Sequence, residues 1–516
     1  MRFLIATLSF CVFGANASWF WSEKTNIVED LGPALSKDAR IILRGDELYA
    51  EAAKRWQWWA APDVAAVVDV KNEEDVRHTI LYAKKHDIPF IVKSGGGGHG
   101  SIASLGTAKN AIQIWTKSLN HISISPSGNS ATMGAGVNGK RVTDTLWAAK
   151  KQTVTGMCEC VGLTAVALGG GHGLLQGYHG LLSDQILSLR MVLANGTAIT
   201  VSETEHKDLF WGMRGAGHNF GMVTELEYKI YDVDVANGKD VWSLEAFVWP
   251  ATRENTKKVY AAAKKSMNGQ SPSYFSYGLV LIMPDFGPEP VILHHVVWNG
   301  PLTALKSHTQ AFHDLDPISV TEEEGTYPDV PRWMQVDQAG MVCNADRFVP
   351  GGGILRFPVD MPDLNVEALA EAVDVFREAT TSIKELGASF MMIEQYATNG
   401  VTKIDPNNSA FALRSHLLLL APAFFYPALQ QDGTPNTALD DVAFKYGGKI
   451  RKILADGAKA HGAYVNYANG DESLEEIYGE SWRIEKLKNL KRSYDPENRF
   501  GFYAPIPMGD NGHSEL

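Results

Sequence analysis

The stretch PFIVKSGGGGHGSIASLG, Pro89–Gly106, decides how the rest of the chain reads. A short apolar run ends at Lys93, four glycines follow, and then come His99 and Gly100. Glycine has no side chain to shield the backbone, so successive N–H groups can lie against a ligand, as a pyrophosphate requires. A histidine inside such a loop is placed to touch whatever the loop holds. The alternative is a surface loop with an incidental histidine. No helical pattern opens after the glycines, which argues against a Rossmann turn. Working outward, Val64–Val70 and Pro89–Lys93 read as strands. Between them Glu73–Asp87 carries Val76, Ile80 and Ala83 on one face and predicts a helix. The glycine loop therefore follows the second strand of a β–α–β opening.

A second glycine-dense stretch, TVTGMCECVGLTAVALGGGHGLLQGYHGLLSD, spans residues 153–184. Glycines this frequent in an apolar run suggest backbone wrapped closely round a large flat ligand. Before it, Ala111–Trp115 and Ala131–Ala135 read as strands and Lys140–Lys150 as a helix. After it, Leu187–Leu193, the Asn195-Gly196 turn and Ala198–Val201 predict a hairpin. DLFWGMR (Asp208–Arg214) reads as a short helix, GAGHNFG (Gly215–Gly221) as another glycine turn and Met222–Tyr231 as a strand.

Near Asp232 the texture changes, and long β runs alternate with long helices. Val241–Trp249, Tyr274–Met283, Val291–Trp298, Ser389–Tyr396 and Phe411–Leu420 read as strands. Thr252–Lys265, Pro301–Asp314 and Asn365–Lys384 read as helices. This is an α+β region with an antiparallel sheet. The tail, residues 464–500, predicts a short strand, a loop, a basic helix with a solvated charged face, and an Asp495-Pro496 turn.

At 516 residues the chain is long enough for two domains. Its net charge of −12 and lack of a basic run argue against a nucleic-acid partner. The opening MRFLIATLSFCVFGANA reads as a secretory signal peptide, residues 1–17, too short for a membrane anchor. Sequons at Asn195 and Asn407 are compatible with secretion, although Asn195-Gly196 also serves as a turn. The four cysteines are Cys11, in the leader, and Cys158, Cys160 and Cys343. An odd count in a secreted chain needs explaining, and this is no disulfide scaffold. A thiol consumed by a cofactor would resolve the arithmetic. A metal site is disfavoured, because the CxC and GGHG elements lack the usual ligand spacing.

Together SGGGGHG, TGMCECVG, LGGGHGLLQG, DLFWGMRGAGHNFGMVTE and YVNY with YDPENRF resemble, in order, the berberine-bridge-enzyme-like branch of the p-cresol methylhydroxylase and vanillyl-alcohol oxidase flavoproteins. The similarity covers most of residues 60–505 and is nearest the fungal secreted type. The resemblance implies an α+β, two-lobed FAD-binding fold. Residues 18–232 would form the FAD lobe, 233–440 a substrate lobe whose antiparallel sheet covers the flavin ring, and 441–516 a segment returning to the first lobe.

The resemblance also implies site residues. FAD would be joined covalently through His99 and Cys158, with Cys160 as the runner-up thiol; a buried, inert thiol is the alternative. Ser94, Gly95, Gly96, Gly97, Gly98 and Gly100 would contact phosphate. Gly162, Gly169, Gly170, Val223 and Asn466 would contact flavin and adenine, while His172 reads as a packed residue. Tyr467 matches the family tyrosine often assigned as base beside flavin N5, a role for which a phenol needs a nearby cation or the flavin's environment. A core aromatic is the alternative there. Several plant members carry a glutamate at the position of Leu420; here Glu394, or His416, expected on one face with Leu418 and Leu420, could supply the missing acid–base group, an exposed edge glutamate or a satisfied histidine being the alternative.

The activity so implied is a secreted oxidase that takes hydride from an alcohol, amine or activated C–H of a small organic molecule and passes electrons to dioxygen, giving hydrogen peroxide. The apolar Leu417–Leu420 run and APAFFYP favour a secondary-metabolite type of substrate over an oligosaccharide oxidised to a lactone. A flavoprotein that binds or cyclises a ligand without oxidising it is the remaining alternative.

Overall fold

Two sheets of the N-terminal half face one large sheet of the middle of the chain across a shared apolar core. The computed structural model describes residues 26–97, 100, 102–267, 271–344, 349, 351–416 and 418–509. Gly98, His99 and the leader 1–17 lie outside them.

In the first sheet, Val64–Asp69 and Phe90–Lys93 both run parallel to Ala111–Trp115, with Arg40–Leu43 antiparallel at the edge. The parallel pair demands a crossover, supplied by the helix Glu73–Lys85. Its start is fixed by Asn72, whose side chain accepts from the Asp75 N–H at 2.9 Å, and Val76, Ile80 and Ala83 are buried beneath it. The second sheet is antiparallel, in the order Ile122–Ile124, Ser130–Gly134, Met222–Lys229, Ile186–Val192, Ala198–Ser202. Its hairpin turns at Asn195-Gly196, where Gly196 takes a φ of +80°.

The third sheet runs Ser319–Gly325, Trp242–Pro250, Pro290–Trp298, Tyr274–Ile282, Phe390–Tyr396, Leu418–Pro427, Gly352–Arg356, with Val359–Met361 also paired to Leu418–Pro427. Every pairing is antiparallel, so each strand alternates between two faces. One face, carrying Phe247, Ile292, Ile393, Leu418 and Leu420, is covered by the helices Arg253–Met267, Leu302–His313, Val366–Ser382 and Thr437–Asp456. The other face turns toward the first lobe. A cross-strand row on it reads Ala246, His295, Tyr277, Glu394, Leu419.

Four expectations change. The strand expected over 411–420 begins only at Leu418. Arg414 instead makes a bidentate, buried ion pair with Asp184 (2.9 and 2.6 Å), and the Ala410 and Phe411 N–H groups donate to Trp211 and Arg214 carbonyls. Residues 409–416 are thus committed to strapping the first lobe. The expected tail strand is a turn, in which the Tyr467 and Ala468 N–H groups both donate to the Tyr464 carbonyl. The charged face of the helix Ser481–Tyr494 is partly interior: Arg483 and Lys491 are buried, donating to the Ser409 and Asn219 carbonyls, and Lys491 pairs with Asp495. Finally, Cys160 and Cys343 form a disulfide, which leaves Cys158 as the free thiol among the described residues. The three cysteines beyond residue 17 therefore resolve as one bridge plus one thiol, and Cys160 is removed as the runner-up for cofactor attachment.

Candidate functional site

Between the first lobe and the inner face of the third sheet lies a cavity of about 330 Å³. Its wall is assembled from the segments the sequence singles out: Ser94, Gly96 and Gly100 of the first glycine loop, Cys158 and Gly162 of the second stretch, Val223, Glu394, Asn466 and Tyr467.

Glycine is required where the two loops cross. A Cβ on Gly96 would stand 2.6 Å from both the Cys160 carbonyl oxygen and the Gly162 nitrogen, and one on Gly162 would overlap the Ser94 hydroxyl. Both neighbours of Gly96 are backbone, so nothing flexible can move aside. Gly95 is pressed against Gly136 in the same way, whereas Gly97 is exposed. Gly169 and Gly170 sit outside the wall. A side chain on Gly169 would displace Asn466, and Gly170, at φ +98°, packs under Phe411. Asn466 is held by donating to the Val166 carbonyl (3.0 Å) and the Tyr464 hydroxyl (2.7 Å). His172 bonds Gln176 at 2.9 Å and stacks among Tyr396, Phe411 and Tyr464, as a packed residue does.

One group of wall residues is polar and under-bonded, with the cation Arg55 at its centre. Arg55 donates through Nη2 to the Gly100 carbonyl at 2.7 Å, but its buried Nη1 has no hydrogen-bond partner among the described residues. Burial pulls its pKa down to about 10. Thr164 Oγ1 and His218 Nδ1 are likewise buried in the wall without partners. Buried polar atoms are rarely left unbonded, so these mark where a polar ligand completes the site. A dinucleotide's pyrophosphate and hydroxyl groups supply that complement, and with the close-packed glycine loops the donor set fits FAD.

The second group is an acid–base cluster. The Tyr467 hydroxyl donates to Glu394 Oε1 at 3.1 Å, while the buried Glu394 Oε2 has no hydrogen-bond partner among the described residues. Burial raises the Glu394 carboxyl to about 7 against the pull of Tyr467, Tyr396 and Arg356. Burial first, and the neighbouring Glu394 second, raise the Tyr467 phenol well above its usual range; Arg356 opposes them. Arg356, which opposes that rise, lies 5.4 Å from the centre of the Tyr467 ring. Cys158 is half-buried beside this cluster, and burial followed by Glu394 pushes its thiol up to about 12. At neutral pH it is a thiol, and it becomes a nucleophile only by giving up its proton.

The structure joins Glu394 to Tyr467 and leaves His416 apart. His416 sits half-buried in the turn before Leu418–Pro427 and does not line the cavity. The face expected to carry it, with Leu418 and Leu420, is the one covered by helices. Sequence reasoning did not find Arg55 or Arg356. Both stand outside any motif, one in an N-terminal arm beside Trp56 and Trp58 and the other at a strand end, and only tertiary packing brings them to the cavity.

Family models match the chain as an FAD binding domain over residues 64–202 and as berberine and berberine like over residues 463–507. The chain is 36% identical over 509 residues to FAD-linked oxidoreductase chyH of Penicillium rubens, with 97% of each chain covered. Among solved structures it is similar to Physcomitrella patens BBE-like 1 (TM-score 0.78, 21% identity, 94% of this chain and 100% of that one). It is also similar to the glucooligosaccharide oxidase of Acremonium strictum (TM-score 0.79, 19% identity, 94% and 100%), described with a 6-S-cysteinyl, 8α-N1-histidyl FAD. With the glycine loops, the under-bonded polar wall around Arg55 and the Tyr467–Glu394 pair in one cavity, the chain belongs to the berberine-bridge-enzyme-like family of FAD-linked oxidoreductases.

Proposed function

We propose that this oxidoreductase binds FAD covalently through Cys158 and His99 and oxidises a small organic molecule at an alcohol, amine or activated C–H, with dioxygen as the final electron acceptor and hydrogen peroxide as product. FAD, when bound, supplies the two-electron acceptor. The observation that carries the reading is the Tyr467–Glu394 hydrogen bond in the cavity wall, with Cys158 beside it. Tyr467 Oη takes the substrate proton as its own proton moves to Glu394 Oε1. The surrounding sheet face holds water away and keeps both groups in place.

Met157, Tyr277, Phe390, Met392 and Tyr396 make much of the remaining wall apolar or aromatic, which favours a secondary-metabolite type of substrate over an oligosaccharide. The chain's route is proposed to be secretory. The leader-like 1–17 and the Cys160–Cys343 disulfide support an oxidising compartment, and Asn195 and Asn407 are exposed. A peroxide assay over a panel of aromatic alcohols, amines and oligosaccharides tests the activity. Peroxide from the aromatic set supports it, and peroxide from sugars alone would replace it with an oligosaccharide oxidase. Sequencing the N-terminus of exported protein tests the leader; a start at Ser18 is expected.

A further inference from the structure

Arg356 ends the strand Gly352–Arg356 and lines the same cavity. Its guanidinium lies between two rings, 5.1 Å from the centre of Trp56 and 5.4 Å from that of Tyr467. It makes no hydrogen bond and no ion pair with any described residue. The other cavity arginine, Arg55, is tied down by the Gly100 carbonyl. The acid of the cavity wall, Glu394, does not bond Arg356: its Oε1 accepts from Tyr467, and its Oε2 has no hydrogen-bond partner among the described residues.

A guanidinium offers five N–H donors in a flat fork, a shape that matches a carboxylate. Here the fork is held by aromatic faces rather than swinging in solvent. Trp56 is itself buried and donates its indole N–H to the Val342 carbonyl. Ordering of the arginine is therefore largely complete before a ligand arrives, which favours tight binding. The wall around it is the apolar and aromatic surface of Met157, Tyr277, Phe390, Met392 and Tyr396. One fixed cation with spare donors, set in an apolar slot, fits a flat ligand with one anionic end.

We propose that Arg356 anchors a carboxylate on the substrate, and that the substrate is a small planar acid with an apolar body. The proposal rests on the oxidoreductase reading above, because it places this anchor beside the Tyr467–Glu394 pair. An ionised Glu394 would repel the same carboxylate, so binding should weaken as pH rises through about 7.

The test titrates the flavin-loaded protein at pH 6 with cinnamate and with cinnamamide, following both the flavin difference spectrum and tryptophan fluorescence. The two probes differ in charge and hardly in shape. Wild-type protein should bind cinnamate at least about tenfold more tightly than cinnamamide. Arg356→Gln should reduce that preference to near unity, and Arg356→Lys should keep part of it. Equal affinities in the wild type, no binding of either probe at millimolar concentration, or a preference that survives Arg356→Gln would each overturn the proposal. Loss of bound FAD in Arg356→Gln with the probe preference unchanged would assign the arginine to the cofactor instead. A colourless wild-type preparation would sink the oxidoreductase reading, while the fluorescence titration would still report on Arg356.

Discussion

The hydroxyl of Tyr467 donates to Glu394 Oε1 at 3.1 Å and so couples a turn of the C-terminal segment to the central strand Phe390–Tyr396 of the large sheet. Neither residue is poised for base chemistry alone. The phenol is held too weakly acidic by burial, and the carboxyl sits within reach of neutrality. In the proposed reaction the pair acts as a relay in which the carboxylate drains the proton that the phenol collects. Tyr467→Phe and Glu394→Gln should each lower kcat on the order of 100-fold with bound flavin unchanged. Turnover needs the ionised carboxylate, so kcat at saturating substrate should climb with pH through an inflection near 7 in the wild type. That limb should be missing in Glu394→Gln. A pH-rate profile unaffected by the substitution would remove Glu394 from the relay.

The same carboxyl carries a stability consequence. Its folded pKa, about 7, lies above the ordinary carboxyl value of 4.5. Between those values the folded state binds the extra proton, so stability falls as pH rises across that window. Glu394→Gln removes the penalty. The variant should melt higher than wild type at pH 8, and the difference should vanish at pH 4. An equal offset at both values would mean that the gain has another origin.

Gly96 separates the two glycine loops by backbone contact alone. A methyl there would meet the Cys160 carbonyl and the Gly162 nitrogen at 2.6 Å. Gly96→Ala should therefore abolish most flavin loading, read as the visible absorbance per protein, whereas Gly97→Ala at the exposed neighbour should be tolerated. Arg55→Met should also lower loading, since it removes the buried cation whose Nη1 lacks a partner. Full loading in Gly96→Ala would contradict the crossing.

The Cys160–Cys343 bridge closes a separation of 183 residues and ties the loop bearing Cys158 to a segment that precedes the strand Gly352–Arg356. Closing so long a loop restricts the unfolded chain, so Cys343→Ser should cost about 2–5 kcal/mol. A thermal melt with and without reductant checks this. Reductant should lower Tm in the wild type and leave the variant unmoved.

The sequence held the site's backbone more completely than its side chains. The glycine loops, the Asn195-Gly196 hairpin and the helix after Asn72 were legible because turn chemistry and period are local properties. The segment before Leu418 was misread as strand. Its apolar residues satisfy the period, but the buried Arg414–Asp184 pair, spanning 230 residues, bends it away. The cysteine count left one choice open for a similar reason. Nothing local tells Cys158 from Cys160, and the distinction is made by where Cys343 lies. Arg55 and Arg356 carry no motif, and they become visible only once the arm and the sheet edge are folded against the cavity.

The most direct test of the central claim is the mass of the acid-denatured chain, with tryptic mapping of any flavin-bearing peptide. The account predicts that the chain keeps the mass of one FAD after denaturation. The flavin should map to the peptides holding Cys158 and His99, and Cys158→Ala should lose the Cys158 attachment. A chain of unmodified mass whose yellow colour passes into the supernatant would contradict covalent attachment, and a chain that never carries flavin would contradict the account as a whole.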